Sequence, residues 1–317
     1  MSKNLRKLMV FAGVVMLFAF SGCALLGERA QALVSTVSDI ADEAVTEIVP
    51  TEEPTPDTEV WADPDDDTAE EPGESESAAI IDPITDEETN RIEGLCVHPY
   101  FPVIEGQVWQ YQSYDEGNNI DTAEIFEISY TDIEGDQFTS LYRYFDPSGT
   151  EDLVLISSTW ECTEDGLLQV EYPAFQFGDA YESINIDYET IEVSGITFPQ
   201  PEQFVVGSSW DLEYVVTMLT TIEDVGTYFS TTVFKQNTEV MGFETVEVPA
   251  GIFEDAVRLE SRVEMEVTAE VEGNTITIPT TFTFTSWYAK GVGLLLSLTE
   301  ADLGSSVTEL VSIQTAE

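Results

Sequence analysis

The residues that form a hydrolytic triad are scarce in this sequence. Its 317 residues include one histidine, His98, which lies between Val97 and Pro99 beside a cysteine. No serine stands in a G-x-S-x-G motif, which positions the nucleophile in many serine hydrolases. We therefore expect no hydrolytic triad and interpret His98 as an ordinary loop residue.

The groups that bind phosphate are also scarce. The sequence contains no glycine-rich phosphate loop. From residue 95 onward it has 5 basic residues, namely Arg143, Lys235, Arg258, Arg262 and Lys290. Because a phosphate clamp combines several such side chains, we expect neither nucleotide chemistry nor a phosphorylated substrate.

Carboxylates are so abundant that their spacing carries little information. Glycoside hydrolysis needs two acids a fixed distance apart across a cleft, but 40 acidic residues follow residue 94, so any chance pair satisfies that need. The run from Asp63 to Asp67 offers oxygen ligands but lacks the central glycine and terminal glutamate of an EF-hand loop. We predict a non-catalytic protein without a metal or other cofactor. An enzyme would need two acids in a cleft with one pKa raised.

The start of the sequence is organised as a secretory signal. Lys3, Arg6 and Lys7 form a positive segment, Leu8 to Phe20 an apolar one, and Ser21-Gly22 a small-residue cleavage site. The apolar run is shorter than the ~20 residues that span a bilayer. Cys23 follows directly, and this arrangement resembles the lipobox of bacterial lipoproteins.

This resemblance implies how the chain is processed and where it resides. Residues 1–22 would be a lipoprotein signal peptide, and Cys23 would be acylated and become the first mature residue. The protein would then be extracytoplasmic and lipid-anchored to the cell membrane or outer membrane, with the membrane as one partner. The other two cysteines, Cys96 and Cys162, are able to form a disulfide after export, and the alternative is two separate buried thiols.

The next segment has the composition of a disordered stalk. From Pro50 to Glu93 the chain consists mainly of Pro, Thr, Ser, Asp and Glu, which bury too little apolar surface to offset chain entropy. We interpret residues 23–93 as an acylated N-terminus and an acidic stalk. The formal net charge of the whole chain is −52, and the part after residue 94 is also acidic. Such a surface repels nucleic acid, so we expect no nucleic-acid partner.

Residues 94–317 have the alternation of an antiparallel all-β domain. From Val257 to Val271 apolar residues occupy mainly odd positions and charged residues even ones. With Gly273-Asn274 as a two-residue loop, the predicted register sets Val271 opposite Ile276 and Val263 opposite Phe284. Strands of ~15 residues exceed the usual ~5 to 6, which predicts a long-stranded, strongly curved sheet or half-barrel.

A faint repeat divides this domain into two related halves, about 95–200 and 201–317. Glycine precedes tryptophan by three residues in both Gly106-Trp109 and Gly207-Trp210. A spacing of six recurs from Trp160 to Gly166 and from Trp287 to Gly293. We expect the halves to complete one continuous sheet, because neither alone has many strands with which to close a core.

Several turn and packing motifs carry a family resemblance. Val248-Pro249-Ala250-Gly251, Trp287 to Leu294, and Tyr100-Phe101-Pro102 with Gly106 and Trp109 resemble motifs of uncharacterised bacterial envelope lipoproteins. These proteins are similar in outline to the half-barrels of the periplasmic lipoprotein carriers LolA and LolB. The resemblance implies a fold and supplies no activity or catalytic residues. Independently, Pro249 and Gly251 suit the second and fourth positions of a β-turn.

Aromatic residues of the domain are the candidates for ligand contact. They either fill the core beneath the sheet or line its mouth, where an acyl chain or another apolar ligand would bind. The candidates are Trp109, Tyr111, Trp160, Trp210, Phe282, Phe284 and Trp287.

Two functional hypotheses follow. The first is a non-catalytic, membrane-anchored lipoprotein that binds an apolar ligand or an envelope protein. The second is a structural or assembly component of the envelope whose sheet edges pair with a partner, without a small-molecule site. An open apolar groove favours the first hypothesis, and an interior filled by Trp and Phe favours the second.

Overall fold

The computed structural model describes residues 96–115, 124–145, 152–177, 184–222, 226–271, 274–301 and 304–315. The predicted signal peptide, the predicted acylation site Cys23 and the predicted acidic stalk lie outside these residues. Within them, none of the helical structure is long or apolar enough to cross a membrane.

The described residues form strands almost throughout, as the alternation predicts. Their one helical element is a single 3-10 turn at Pro201–Gln203. The strands are β1 (Gln107–Asp115), β2 (Glu124–Glu134), β3 (Gln137–Phe145), β4 (Asp152–Thr163), β5 (Gly166–Gln169), β6 (Ala174–Phe177), β7 (Ile184–Gly195), β8 (Phe198–Pro199), β9 (Ser209–Ile222), β10 (Gly226–Val248), β11 (Gly251–Val271), β12 (Asn274–Ala289), β13 (Gly293–Ala301) and β14 (Gly304–Thr315).

All fourteen strands belong to one curved sheet. Its order is β7-β9-β10-β11-β12-β13-β14-β1-β2-β3-β4-β5-β8, with β6 paired to β4 off this path. Every pair is antiparallel. β10 has 23 residues and β11 has 21. The predicted fold class, a long-stranded and curved antiparallel sheet, is confirmed.

The register predicted for the β11-β12 hairpin is wrong by two residues. Val271 pairs with Asn274 and Val263 with Phe282, so the two-residue connection lies at positions 272–273. Both Glu272-Gly273 and Gly273-Asn274 contain a glycine, so the local sequence is compatible with either register. Because the error is an even number of residues, the inward and outward faces of both strands remain as predicted.

The Val-Pro-Ala-Gly turn is confirmed between β10 and β11. Val248 pairs with Gly251, which leaves Pro249 and Ala250 at the two central positions. The fixed φ of proline suits the second position of such a turn.

The two ends of the strand order meet at one corner of the sheet. β7 pairs with β9 as far as Gly195, and β8 begins three residues later and pairs with β5. Between them the Ile196 amide donates to the Asp211 carbonyl, and the Thr197 amide donates to the Leu167 carbonyl. Since no register among the described residues pairs β7 with β5 directly, the sheet curves until its edges touch but closes only at this corner.

The segment before β1 packs inside the curve. Tyr100, Phe101 and Val103 are buried with the main hydrophobic core. A disulfide joins Cys96 to Cys162 at the end of β4. The segment is thereby attached to the sheet at its N-terminal side, with Phe101 facing Phe198 and Trp160 at ring-centroid distances of 5.1 and 4.8 Å.

The repeated Gly-Trp spacing marks equivalent strand starts. Gly106 and Gly207 both have positive φ, at 73° and 84°, and the tryptophan three residues later is buried in each case. β14 pairs with β1, so strands of the two predicted halves lie in one continuous sheet.

Candidate functional site

A cleft of about 220 Å³ lies on the inner face of the curved sheet. Twenty-three described residues line it, and nine of them are aromatic. None of these 23 is Asp, Glu, Lys, Arg or His, although the chain has 62 acidic residues. The described lining is therefore uncharged inside a strongly acidic protein.

One side of the cleft is formed by β2, β3 and β4 and is almost entirely aromatic or aliphatic. We call it the aromatic wall; its residues are Phe126, Ile128, Tyr142, Tyr144, Ile156 and Trp160. The Phe126 and Tyr144 rings stack with centroids 4.9 Å apart, and the Phe126 and Tyr142 rings are 6.5 Å apart. On β4, Ser158 adds one hydroxyl between Ile156 and Trp160.

The other side comes from β10 to β14 and carries one serine or threonine from each strand. We call it the hydroxyl wall; its residues are Thr238, Ser261, Ser286, Ser297 and Thr308. All five are buried. The strand register sets Thr238 opposite Ser261, and Ser297 opposite both Ser286 and Thr308.

Hydrogen bonds connect neighbouring members of the hydroxyl wall. The Thr238 and Ser261 oxygens are 2.8 Å apart, and the Ser286 and Ser297 oxygens are 3.3 Å apart. The Gln236 amide donates to Thr238 at 2.9 Å and lies 3.5 Å from Ser261. Serine and threonine are small, so this side of the sheet leaves space that larger inward side chains would fill.

Two indoles at the cleft are held in place by hydrogen bonds. Trp160 Nε1 donates to the Ser140 hydroxyl at 2.9 Å, and Trp210 Nε1 donates to the Thr197 carbonyl at 3.2 Å. With their donors satisfied, the rings present apolar surface to the cleft.

The seven predicted ligand residues separate into two groups. Trp160, Trp210 and Phe284 line the cleft. The other four do not belong to its lining; they are Trp109, Tyr111, Phe282 and Trp287. Their predicted role in binding stays a prediction. Phe282 lies on β12 and is largely buried.

Trp109 and Tyr111 are buried and attach β1 to the chain around the β12-β13 turn. Trp109 Nε1 donates to the Val292 carbonyl at 2.7 Å, and Tyr111 Oη donates to the Leu294 carbonyl at 2.9 Å. Burial raises the pKa of Tyr111 well above its usual value, with smaller contributions from Tyr142 and Tyr288. Tyr111 is thus a neutral phenol with a structural hydrogen bond.

Trp287 is buried, and its side chain lies on the outer face of the sheet, opposite to the cleft. It alternates along β12 with Ser286 and Tyr288, which both line the cleft, and successive side chains of a strand point to opposite faces. Its Nε1 donates to the Glu244 carboxylate, which also lies 3.8 Å from the Arg258 guanidinium.

Sequence reasoning missed the hydroxyl wall. The sequence feature that could have indicated this wall is Ser261, a serine at an odd position of β11 between the inward Leu259 and Val263. Equivalent inward serines occur in β12 and β13. A polar residue repeated at inward positions of neighbouring strands indicates a lined cavity, because isolated buried hydroxyls need partners.

His98 lies outside the cleft lining. It is buried against Phe204 and Phe198, and its Nε2 donates to the Pro199 carbonyl at 3.0 Å. Burial lowers the pKa of His98 to about 4, although the Pro199 hydrogen bond and the Glu202 charge oppose this shift. His98 is thus a loop residue, as expected, and its buried ring is neutral and packs against aromatic side chains.

Metal-binding groups are not assembled in the described part of the chain. No cluster of three or more His, Cys, Asp or Glu side chains there has a geometry that would hold an ion.

Comparisons with known proteins place the chain in a family. Residues 104–299, more than half of the chain, match the profile of the DUF3108-like family. No curated protein matches significantly.

Two solved structures are similar to this chain. A candidate lipoprotein from Parabacteroides distasonis is 18% identical, with a TM-score of 0.46, covering 68% of this chain and 99% of its own. A candidate exported protein with a YmcC-like fold from Bacteroides fragilis is 14% identical, with a TM-score of 0.41, covering 69% of this chain and 100% of its own. Neither is described as a LolA or LolB carrier, and the similarity to those carriers stays a prediction.

Proposed function

The chain belongs to the DUF3108-like family, and we propose that this member is a non-catalytic, lipid-anchored extracytoplasmic protein whose cleft binds an apolar ligand. The observation that carries the proposal is the uncharged described lining of the cleft within a chain of net charge −52. Acidic side chains cover the outside of the sheet, and aromatic side chains collect at the cleft. Ligand pockets are mostly apolar concavities with a few placed polar groups.

The size of the cleft suits a slender ligand. Its volume of about 220 Å³ exceeds the ~150 Å³ of an engineered apolar cavity that binds benzene. It is below the ~300 to 1,000 Å³ typical of pockets for drug-sized molecules. A single alkyl chain that buried six methylenes there would gain about 5 kcal/mol before the costs of association.

The composition of the lining supports a binding role without catalysis. General acid-base catalysis uses His, Asp, Glu, Lys, Tyr or Cys at the reacting atoms. Of these, only tyrosines occur among the described lining residues. No nucleophile with an adjacent base is found there.

The leader and the disulfide support an extracytoplasmic location. The basic and apolar segments before Cys23 have the pattern of an exported lipoprotein. The disulfide between Cys96 and Cys162 fits an oxidising compartment, because such bonds are rare in the cytosol. Acylation of Cys23 would hold the domain at a membrane through the acidic segment.

The second hypothesis, a scaffold that pairs through free sheet edges, has less support. The two ends of the strand order are joined by the single segment from β7 to β8, and the interior contains an open cleft beside its hydrophobic core.

Native mass spectrometry tests this proposal. The mature chain with Cys23→Ser would be exported in a membrane-containing host and purified without detergent, so that a bound ligand is retained. We expect a native mass that exceeds the denatured mass by an adduct in the lipid range. A native mass equal to the denatured mass for the folded protein would contradict ligand binding.

A further inference from the structure

We infer that the ligand of the cleft is an uncharged amphiphile, with its chain along the aromatic wall and its oxygen-bearing head against the hydroxyl wall. This inference rests on the proposed function and specifies the chemical class of the ligand. Monoacylglycerols represent this class.

The two walls differ in chemistry across one cavity. Six residues of β2 to β4 present rings or branched aliphatic chains, whereas the five strands from β10 to β14 each present one serine or threonine, beside the apolar Leu259, Phe284 and Leu294. A purely apolar ligand would leave the serine and threonine hydroxyls of the second wall without a partner on the ligand. A ligand with distinct polar and apolar parts matches both.

The hydroxyl wall has hydrogen-bond donors to spare. A serine hydroxyl has one hydrogen and two acceptor sites, and one bond joins Ser286 to Ser297. That bond uses one of the two hydrogens, and no other interaction of these two side chains is found within the described residues. The second hydrogen is available to an oxygen of the ligand.

A hydroxyl hydrogen is also left over at the β10-β11 end of the hydroxyl wall. Thr238 and Ser261 share one bond, and the Gln236 amide donates toward both oxygens. Between the two hydroxyls one hydrogen again remains for a ligand acceptor. Two spare donors favour a head that carries hydroxyl, ester or carbonyl oxygens.

The uncharged lining of the cleft disfavours a ligand with an ionic head group. Burying a carboxylate or an ammonium group without a partner is strongly unfavourable, and the described lining offers no side chain of opposite charge to either. The net charge of −52 further disfavours anions. An uncharged head avoids both penalties.

A series of probes with one alkyl chain and different heads tests the inference. Full mature Cys23→Ser protein, stripped of bound material, would be titrated with a monoacylglycerol, the fatty acid anion and the alkyltrimethylammonium of equal chain length. Tryptophan fluorescence and calorimetry report binding. We expect the monoacylglycerol to bind more than about tenfold tighter than either ion.

The outcomes separate the inference from the proposed function. Equal or tighter binding of either ion would overturn the inference and leave apolar binding intact. Failure of all probes, including a plain alkane of similar length, would overturn both.

A pair of variants tests the role of the hydroxyls. Ser286→Ala with Ser297→Ala removes both partners of one hydrogen bond, a change that is often nearly neutral for folding. We expect this variant to bind the monoacylglycerol about fivefold or more weakly, from the loss of one net hydrogen bond, with alkane binding retained. Unchanged monoacylglycerol affinity would count against the head-group assignment. Thr281→Ala with Thr283→Ala, on the outward face of β12, is the matched control.

Discussion

Gly195 lies directly against the backbone of Asp211 at the corner where the sheet closes. A Cβ on Gly195 would come within 2.1 Å of the Asp211 carbonyl oxygen, and its φ is +91°. A Cβ on Gly166 would come equally close to the Phe198 carbonyl oxygen. Both glycines allow strands to approach where β7 and β8 join the two ends of the sheet, so the cleft depends on them.

Alanine at either corner glycine should destabilise the fold. We expect Gly195→Ala and Gly166→Ala each to lower the free energy of unfolding by at least ~2 kcal/mol, because backbone must move to relieve the overlap. Gly242→Ala is the control, since a Cβ there meets nothing within 4 Å. Denaturant unfolding would measure all three. Equal stability of the corner and control variants would contradict the closure.

Stability should fall as the pH drops below the ordinary pKa of histidine. Burial lowers the pKa of His98 from 6.5 to about 4, so between these values the unfolded chain binds a proton that the folded protein does not. The stabilisation is therefore present above pH 6.5 and is lost as the pH falls. From pH 6.5 to 5 we expect a loss of about 2 kcal/mol.

The variant His98→Gln isolates this effect, because the chain contains one histidine and glutamine retains a donor for the Pro199 carbonyl. Its unfolding free energy should change less over the same pH range. An identical pH dependence in both proteins would assign the effect to other groups. A single imidazole signal in NMR spectra would report the titration directly.

Removal of the disulfide should loosen the segment that carries Phe101 into the cleft. Cys96 and Cys162 are 66 residues apart, and the entropy of closing such a loop corresponds to ~4 kcal/mol. We expect the double variant Cys96→Ser with Cys162→Ser to have a free energy of unfolding lower by about that amount, measured by denaturant unfolding. We also expect it to bind the ligand more weakly. Unfolding at the same denaturant concentration as the parent would contradict this role.

Tryptophans on the two faces of the sheet should respond differently to ligand. Trp160 lines the cleft, whereas Trp287 bonds to Glu244 on the outer face. We predict that Trp160→Phe lowers the affinity for an alkane-chain probe severalfold and reduces the fluorescence change, with Trp210 as the remaining tryptophan of the described lining. Trp287→Phe should leave both nearly unchanged. A larger effect from Trp287→Phe would place the ligand elsewhere.

The fold was predictable where alternation persists, and less so where distant segments meet. The odd-position pattern of β11 correctly predicts a long strand with one buried face. Glu272-Gly273 and Gly273-Asn274 are both acceptable two-residue loops, so local sequence did not define the register. The corner at Gly195 depends on contact with Asp211, and nothing local to either residue indicates it.

The site was predictable only in part. Aromatic content identified Trp160, Trp210 and Phe284, but not which face each residue occupies. Alternation along β12 separates Phe284 from Trp287, because their positions differ by an odd number. The hydroxyl wall was missed because an inward serine interrupts an apolar pattern, and its meaning emerges only when Ser286 and Ser297 are seen as neighbours across strands.

Filling the cleft is the most direct test of ligand binding. Ser286→Leu adds apolar bulk at a buried cleft position, and Thr281→Leu adds the same bulk at an exposed position on the opposite face of β12. Calorimetric affinity for a monoacylglycerol would be measured for both, after thermal unfolding has established that both are folded. We predict about a tenfold or greater loss for Ser286→Leu, from steric exclusion of the chain, and parent-like affinity for Thr281→Leu. Equal affinities in the two folded variants would show that the cleft is not the binding site.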